Sequence, residues 1–330
     1  MIRRCMTLVL ACLSTMIPVT ALAMASAELY TTKSYTYGRF EARIQHAAGD
    51  GVVSAFFLWK DGSEVAGAYW NEIDFEKIGA DCEMQTNARY GTSVANHSQM
   101  NKMTGQSCAE YHDYRIEWTP DYIAWAVDGN EFRRENGETA AAFSQNASDG
   151  MQFRFNIWPG NSDFGGNIKN TTLPVHQYIS WVQYSSYVDE DFQVQWREEF
   201  QDSGVPAGWA VGTWGSPYNL STHSPDNVGF VNGIAVLSLT TDDATGDPGT
   251  PPADDGTVAP PGSGGSAGTG STGGSSGSDK GSAGGCSTAP RSRSGGTALF
   301  GILAVAVGLR VLRRGRRSGS ASSTTRQSPR

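Results

Sequence analysis

The sequence is poor in the residues that hold metals and redox groups. Five cysteines and five histidines occur in 330 residues, and none shows the paired spacing of a zinc site. Cations are scarce where the acids are. All 33 acidic residues lie within 28–279, while ten of the 25 basic residues fall in 280–330 and two more are Arg3 and Arg4. The stretch between carries 13 basic against 33 acidic residues, a net of −20. Such a surface disfavours nucleic acid and anionic lipid and tolerates a neutral polymer. No long stretch has helical periodicity and no internal repeat is found, which leaves short strands as the building unit.

Those strands are abundant. From Glu28 to about Thr241 the chain alternates in short runs punctuated by Gly, Asn, Asp and Pro. Residues 37–44, 52–59, 114–118, 123–127, 153–158, 179–184 and 234–239 each read as a strand, and Asp128-Gly129 marks a hairpin turn. A run of about 215 residues of this kind is long enough for one all-β sandwich with its own core. Nine tryptophans suit both core packing and stacking on sugar rings.

The ends differ in character. Arg3 and Arg4, an apolar run over 8–23 and the small-residue sites Ala21-Leu22-Ala23 or Ala25-Ser26-Ala27 read as a secretory signal peptide, taken as residues 1–25. Cys5 and Cys12 lie inside it, Cys12 as a lipid-attachment residue being the sharper alternative. The remaining pair before the tail, Cys82 and Cys108, suits a disulfide in an exported protein. It would close a loop of about 26 residues, worth roughly 3 kcal/mol in the chain-entropy model; two separate thiols are the other reading. Residues 242–285 are rich in Gly, Ser, Thr and Pro and read as a flexible linker. Cys286, the uncharged run 294–309 and the arginines 310, 313, 314, 316 and 317 then read as a membrane anchor with a cytoplasmic end. The order cysteine, span, arginines resembles the sorting tails of myxobacterial surface proteins, which implies processing machinery acting near Cys286. That gives an exported or surface location, with membrane contact only through 286–330.

Residues 70–76 carry the chemistry: Trp70-Asn71-Glu72-Ile73-Asp74-Phe75-Glu76. On a strand Glu72, Asp74 and Glu76 share one face, while Ile73 and Phe75 enter a core. Crowded like charges raise the pKa of at least one carboxyl, so one stays protonated while another is ionised. Glycoside hydrolysis needs that pair: an acid for the leaving oxygen and a nucleophile for the anomeric carbon. A solvated edge strand gives the same pattern without the chemistry. A retaining pair must come within about 5–5.5 Å, yet four residues of flat strand separate Cα atoms by about 13 Å. The sheet must therefore curve.

Glu72-Ile73-Asp74-Phe75-Glu76 resembles the Glu-x-Asp-x-Glu signature of glycoside hydrolase family 16. Tyr37-Gly38-Arg39-Phe40-Glu41-Ala42-Arg43 resembles the family's strand leading towards the cleft, 112–120 with 127–129 its back-sheet hairpin, and Arg154-Phe155-Asn156-Ile157-Trp158 a strand lining the cleft. The resemblance implies an all-β jelly-roll β-sandwich of two antiparallel sheets with a concave substrate cleft, spanning 26–241. A segment that usually opens the bacterial lichenases stands instead at 189–241, as in the circularly permuted lichenase branch; a small appended module is the alternative. By resemblance Glu72 is the nucleophile, Glu76 the acid/base and Asp74 the helper between them. Trp70, Trp158 and Trp214 would be sugar platforms. Phe57, Trp59 and Glu64 would line the cleft, and Gln85, Asn87, Arg154 and Asn156 would bond hydroxyls, Arg154 serving equally well as an ion-pair partner. Leu220 and Asp61 stand where the permuted branch has Arg and Asn, which alters the outer subsites. The spacing lacks the extra bulge residue of the 1,3-β-glucanase branch. No metal ligands are assigned: no cofactor is required, and a structural calcium remains open, with Ser180 where ordinary lichenases carry a metal-associated Asp. The expected protein is a monomeric, retaining endo-β-glucanase acting on 1,3-1,4-β-glucan polysaccharide. A transglycosylase, a 1,3-β-glucanase and a noncatalytic carbohydrate-binding sandwich are its rivals.

Overall fold

The computed structural model describes residues 23–81, 83–102 and 110–256. Most of the leader, Cys82 and Cys108 with their expected bridge, Cys286 and the anchor tail lie outside the described residues. The chain opens with β1 (Met24–Thr31), β2 (Gly38–Gln45) and β3 (Val52–Trp59), then β4 (Trp70–Ile78) and β5 (Glu83–Gly91). Short β6 (Ala95–Asn96) and β7 (Gln99–Lys102) precede the meander β8 (His112–Trp118), β9 (Tyr122–Val127) and β10 (Asn130–Asn136). Helix α1 (Glu138–Ser144) is followed by β11 (Gln152–Pro159), the long β12 (Val175–Val188) and β13 (Asp191–Glu198). The last strands are β14 (Trp209–Val211), β15 (Thr222–His223), β16 (Val228–Val231) and β17 (Ile234–Thr241).

The strands form a curled antiparallel jelly-roll sandwich. In the inner layer β14, β1, β11, β3, β4 and β5 lie side by side, with β6 and β7 on the far edge. In the outer layer β12 carries β17 and β13 along one side and β2 along the other, continuing through β8, β9 and β10. Strand alternation explains the core between them. Phe56, Phe75, Phe153 and Phe155 from the inner layer meet Phe40, Trp118 and Trp125 from the outer, all fully buried. Phe40 and Phe153 lie 4.9 Å apart across the layers, and Phe56 stacks 5.2 Å from Phe155. Each such side chain contributes about 1.5–3 kcal/mol through burial.

Local sequence sets the joints. Asp128 and Gly129 take positive φ of 50° and 78° at the β9–β10 hairpin, the geometry that makes Asp-Gly a hairpin signal. Gly38 is required for a different reason. A Cβ there would stand 2.4 Å from the Ser185 carbonyl oxygen of β12, so β2 could not approach its neighbour.

Two expected boundaries fall inside ordered structure. Met24 and Ala25, on the leader side, open β1 and pair with Thr241 and Thr240 of β17. Residues 242–256, on the linker side of Thr241, lie along the sandwich: Tyr111 donates to the Pro252 carbonyl at 3.2 Å, and buried Arg43 pairs with Asp254 at 2.8 Å. The segment 189–241 is no separate module, because Phe200, Trp209, Leu237 and Leu239 belong to the same core as Phe56 and Phe75. No helix among the described residues is long and apolar enough to cross a membrane.

Candidate active site

The concave face of the inner layer is built from the outward half of each strand's alternation. The pairing registers align its side chains in rows. Trp59 of β3, Glu72 of β4 and Arg89 of β5 form one row; Tyr30, Arg154, Phe57, Asp74 and Asn87 form the next. Glu28, Asn156, Ala55, Glu76 and Gln85 form a third. Three inter-strand steps separate β1 from β4, on the order of 14 Å, so the groove crosses the strands and has length for more than one sugar ring. All three acids stand in its floor, and Ile73 and Phe75 are buried beneath them.

The acids differ in surroundings. Glu72 is nearly buried, and its Oε2 accepts from Trp70 Nε1 at 2.7 Å and from Arg89 Nη1 at 2.7 Å. Donors of this kind favour the ionised form of a carboxyl. Asp74 is buried, and its carboxyl is held well above the usual range, first by loss of solvent and then by the charges of Glu72 and Glu76. Glu76, half-buried, is pushed up to about 8 by removal from water and by the Glu72 charge. The strand itself is pinned from below: Trp125 of β9 donates from Nε1 to the Asp74 carbonyl oxygen at 3.0 Å. Arg133 of β10 holds β5 in the same way through Thr86.

The aromatic residues ring this floor. Trp59 and Trp70 meet edge to face at 5.0 Å, so Trp70 serves the Glu72 carboxylate as well as the wall. Phe57 is buried between Arg154 and Asp74 in its row. Trp158 is stacked 5.9 Å from Phe164 and 6.0 Å from Tyr218. Trp214, 41% exposed, packs 5.6 Å from Tyr30 on the same face as the acids. Glu64 is exposed on the loop between β3 and β4. Gln85 leans on Met100 of β7. Buried side-chain oxygens of Asn87 and Asn156 have no partner among the described residues; Asn87 lies opposite Asp74 and Asn156 opposite Glu28.

Arg154 forms the ion pair that was the second reading of that residue. Its Nη1 donates to Glu28 Oε1 at 2.7 Å, and the guanidinium lies 4.6 Å from the Tyr30 ring and 5.6 Å from the Trp214 ring. Glu28, Tyr30, Arg89, Tyr218 and His223 complete the site although the sequence reading assigns them no role. Glu28 also accepts from Trp214 Nε1 at 3.2 Å and lies 3.3 Å from His223 Nε2. Burial, with the nearby Arg154, drops His223 to about 4, so that contact is the close approach of a neutral ring and no ion pair. Burial raises the Glu28 carboxyl, against the pull of Arg154. The signal for Arg89 was available: it follows Gln85 and Asn87 at the same alternation. Glu28, Tyr218 and His223 carried no local signal, because segments nearly 200 residues apart bring them together. Among the described residues no group of three or more His, Cys, Asp or Glu side chains is arranged to hold a metal ion.

Paired carboxyls in different surroundings, set in an aromatic-walled groove on a curled β-sandwich, are the arrangement that glycoside hydrolysis uses. The chain belongs to glycosyl hydrolases family 16, whose profile matches residues 8–183. It is 33% identical over 233 residues to a beta-glucanase of Fibrobacter succinogenes, covering 67% of this chain and 65% of that one. It is 28% identical over 156 residues to the beta-glucanase of Bacillus amyloliquefaciens, covering 47% and 61%. The solved Bacillus licheniformis beta-glucanase is 25% identical, with 49% of this chain and 77% of that chain covered and a TM-score of 0.40. The chain thus spans less than two thirds of these two curated relatives' own lengths.

Proposed function

We propose that this protein is an exported endo-β-glucanase that hydrolyses mixed-linkage 1,3-1,4-β-glucan with retention of configuration. The observation that carries this reading is the division of labour on β4: a carboxylate held by two donors at Glu72, and a carboxyl raised to about 8 at Glu76. Glu72 attacks the anomeric carbon as the bond to the leaving oxygen breaks, and Glu76 gives that oxygen its proton. Once Glu72 is an ester its charge is gone, which lowers Glu76 and lets it take a proton from the attacking water. Water then replaces Glu72 on the sugar, and both carboxyls return to their starting forms. Asp74, between them, shares a proton within the cluster and keeps the negative charge from accumulating.

The compact spacing supports 1,3-1,4-linked glucan over 1,3-glucan, and the beta-glucanase relatives support a β-glucan substrate. Circular permutation is supported by residues 189–241 following the family match, which ends at 183, while Phe200, Trp209, Leu237 and Leu239 share its core. Export follows from the leader, and cleavage after Ala23 keeps β1 whole, whereas cleavage after Ala27 removes its pairing with β17. N-terminal sequencing of the exported protein is expected to begin at Met24.

The test is reducing-sugar release from lichenan, laminarin and xyloglucan, with proton NMR of the first product. Lichenan cleavage giving a β-anomer is expected, and Glu72→Gln is expected to abolish cleavage while sparing binding. A wild-type protein that binds glucan and never cleaves it would be a carbohydrate-binding sandwich instead.

A further inference from the structure

Among the described residues Arg89 is the cation whose charge acts on all three acids. Its Nη1 stands 2.7 Å from Glu72 Oε2, and its guanidinium lies 4.6 Å from the centre of the Trp70 ring. Trp70 Nε1 donates to that same oxygen at 2.7 Å. Both donors therefore converge on Oε2, and Glu72 Oε1 has no hydrogen bond among the described residues. Burial works against charge on Arg89, but the fields of Glu72, Asp74 and Glu76 together hold its pKa above the ordinary arginine value. The other groups facing this point are few. Arg133 of β10 acts on Asp74 from below, and the Tyr218 hydroxyl senses Glu76 and Arg89 from the loop after β14. Trp59 and Phe57 of β3, Asn87 of β5 and Asn96 of β6, which pairs with Arg89, are uncharged.

We propose that Arg89 is a positioning residue for the nucleophile: with Trp70 it clamps Glu72 Oε2, leaving Oε1 as the oxygen that forms the glycosyl bond. The inference rests on the reading of Glu72 as nucleophile. It adds a consequence for the second half of the reaction. When Glu72 becomes an uncharged ester, Arg89 loses its partner and its charge acts on Asp74 and Glu76 alone. That favours ionised Glu76 when a base is needed. Arg89 would thus serve each step through whichever carboxylate remains charged.

The test is a carbon-13 NMR titration of the glutamate carboxyls in wild type, R89Q and R89M, with E72Q assigning the Glu72 resonance. Arg89 is one-third exposed at the groove surface, so neither change opens a core cavity, and R89M keeps the packing on Trp70 should R89Q fold poorly. The Glu72 resonance is expected to titrate at higher pH in both variants than in wild type, because a donor to its charged form is gone. The acid limb of kcat/KM on lichenan should move up in parallel, with kcat falling more than KM changes and R89K recovering part of the loss. A Glu72 midpoint equal to that of wild type in a folded R89Q or R89M overturns the inference. Failure of the glucanase reading looks different: Glu72 titrates as expected, yet wild type releases no sugar.

Discussion

At the residue scale neighbouring carboxyls of β4 are given different surroundings. Glu72 accepts two donors; Glu76 lacks them and sits beside its charge. With Glu76 as the acid of the proposed first step, kcat/KM is expected to fall as pH rises through about 8. Glu76→Gln should lower kcat on unactivated glucan by about 10²–10⁴-fold and remove that basic limb, which a pH–rate profile reads directly. The same change bears on stability, with a sign that can be worked out. A carboxyl raised in the folded state binds its proton more tightly there than in the unfolded chain, so stability falls as pH rises from the ordinary glutamate value to about 8. Glu76→Gln is therefore expected to raise Tm more at pH 8 than at pH 5 in scanning calorimetry.

Strand β4 shows what one element must reconcile. Its outward face carries the acids, and its inward face carries Asn71, Ile73, Phe75 and Lys77, all buried. Lys77 obeys the alternation yet places an amine in the core, where its Nζ donates to the Gly79 carbonyl. Burial lowers it to about 8, against a weaker pull from Asp81. The folded state holds this proton less tightly than the unfolded chain, so stability should rise as pH climbs from about 8 towards the ordinary lysine range. Lys77→Met is expected to stabilise the fold at pH 7 by on the order of 2 kcal/mol and to flatten that rise. Urea unfolding at pH 7 and pH 9.5 measures both effects; a destabilised K77M would show that the Gly79 contact outweighs the cost of burial.

For the whole molecule the decisive fact is that the two ends of the domain share strands. β17 pairs with β1 at Met24 and Ala25 and with β12 over residues 175–179, while β14 lines β1 on its other edge. Removing residues 189–256 deletes Phe200, Trp209, Leu237 and Leu239 from the common core and exposes the edge of β1. Fragment 24–188 is expected to lack a cooperative melting transition, whereas 24–256 melts in one step and cleaves glucan. Calorimetry and activity of the two fragments check this. A folded, active 24–188 would mean that the later strands are dispensable, as an appended module would be.

Legibility followed the range of the interactions involved. Alternation, which is local, marked β2, β3, β4, β8, β9, β11, β12 and β17, the Asp-Gly hairpin, and the shared face of Glu72, Asp74 and Glu76. Helix α1 has only seven residues, too few for its periodicity to stand out. The ion pair of Glu28 with Arg154, the approach of His223 to Glu28 and the seat of Tyr218 beside Trp158 join segments far apart in the chain. Only the pairing of β1 with β11, β14 and β15 brings Glu28 and Tyr30 beside those residues. The sequence by itself determined which acids share a face and which residues face the core, because strand geometry imposes a period of two. Tertiary structure alone decided which cation meets Glu72 and which carboxyls are raised, because charge, burial and donor geometry depend on the strands on either side.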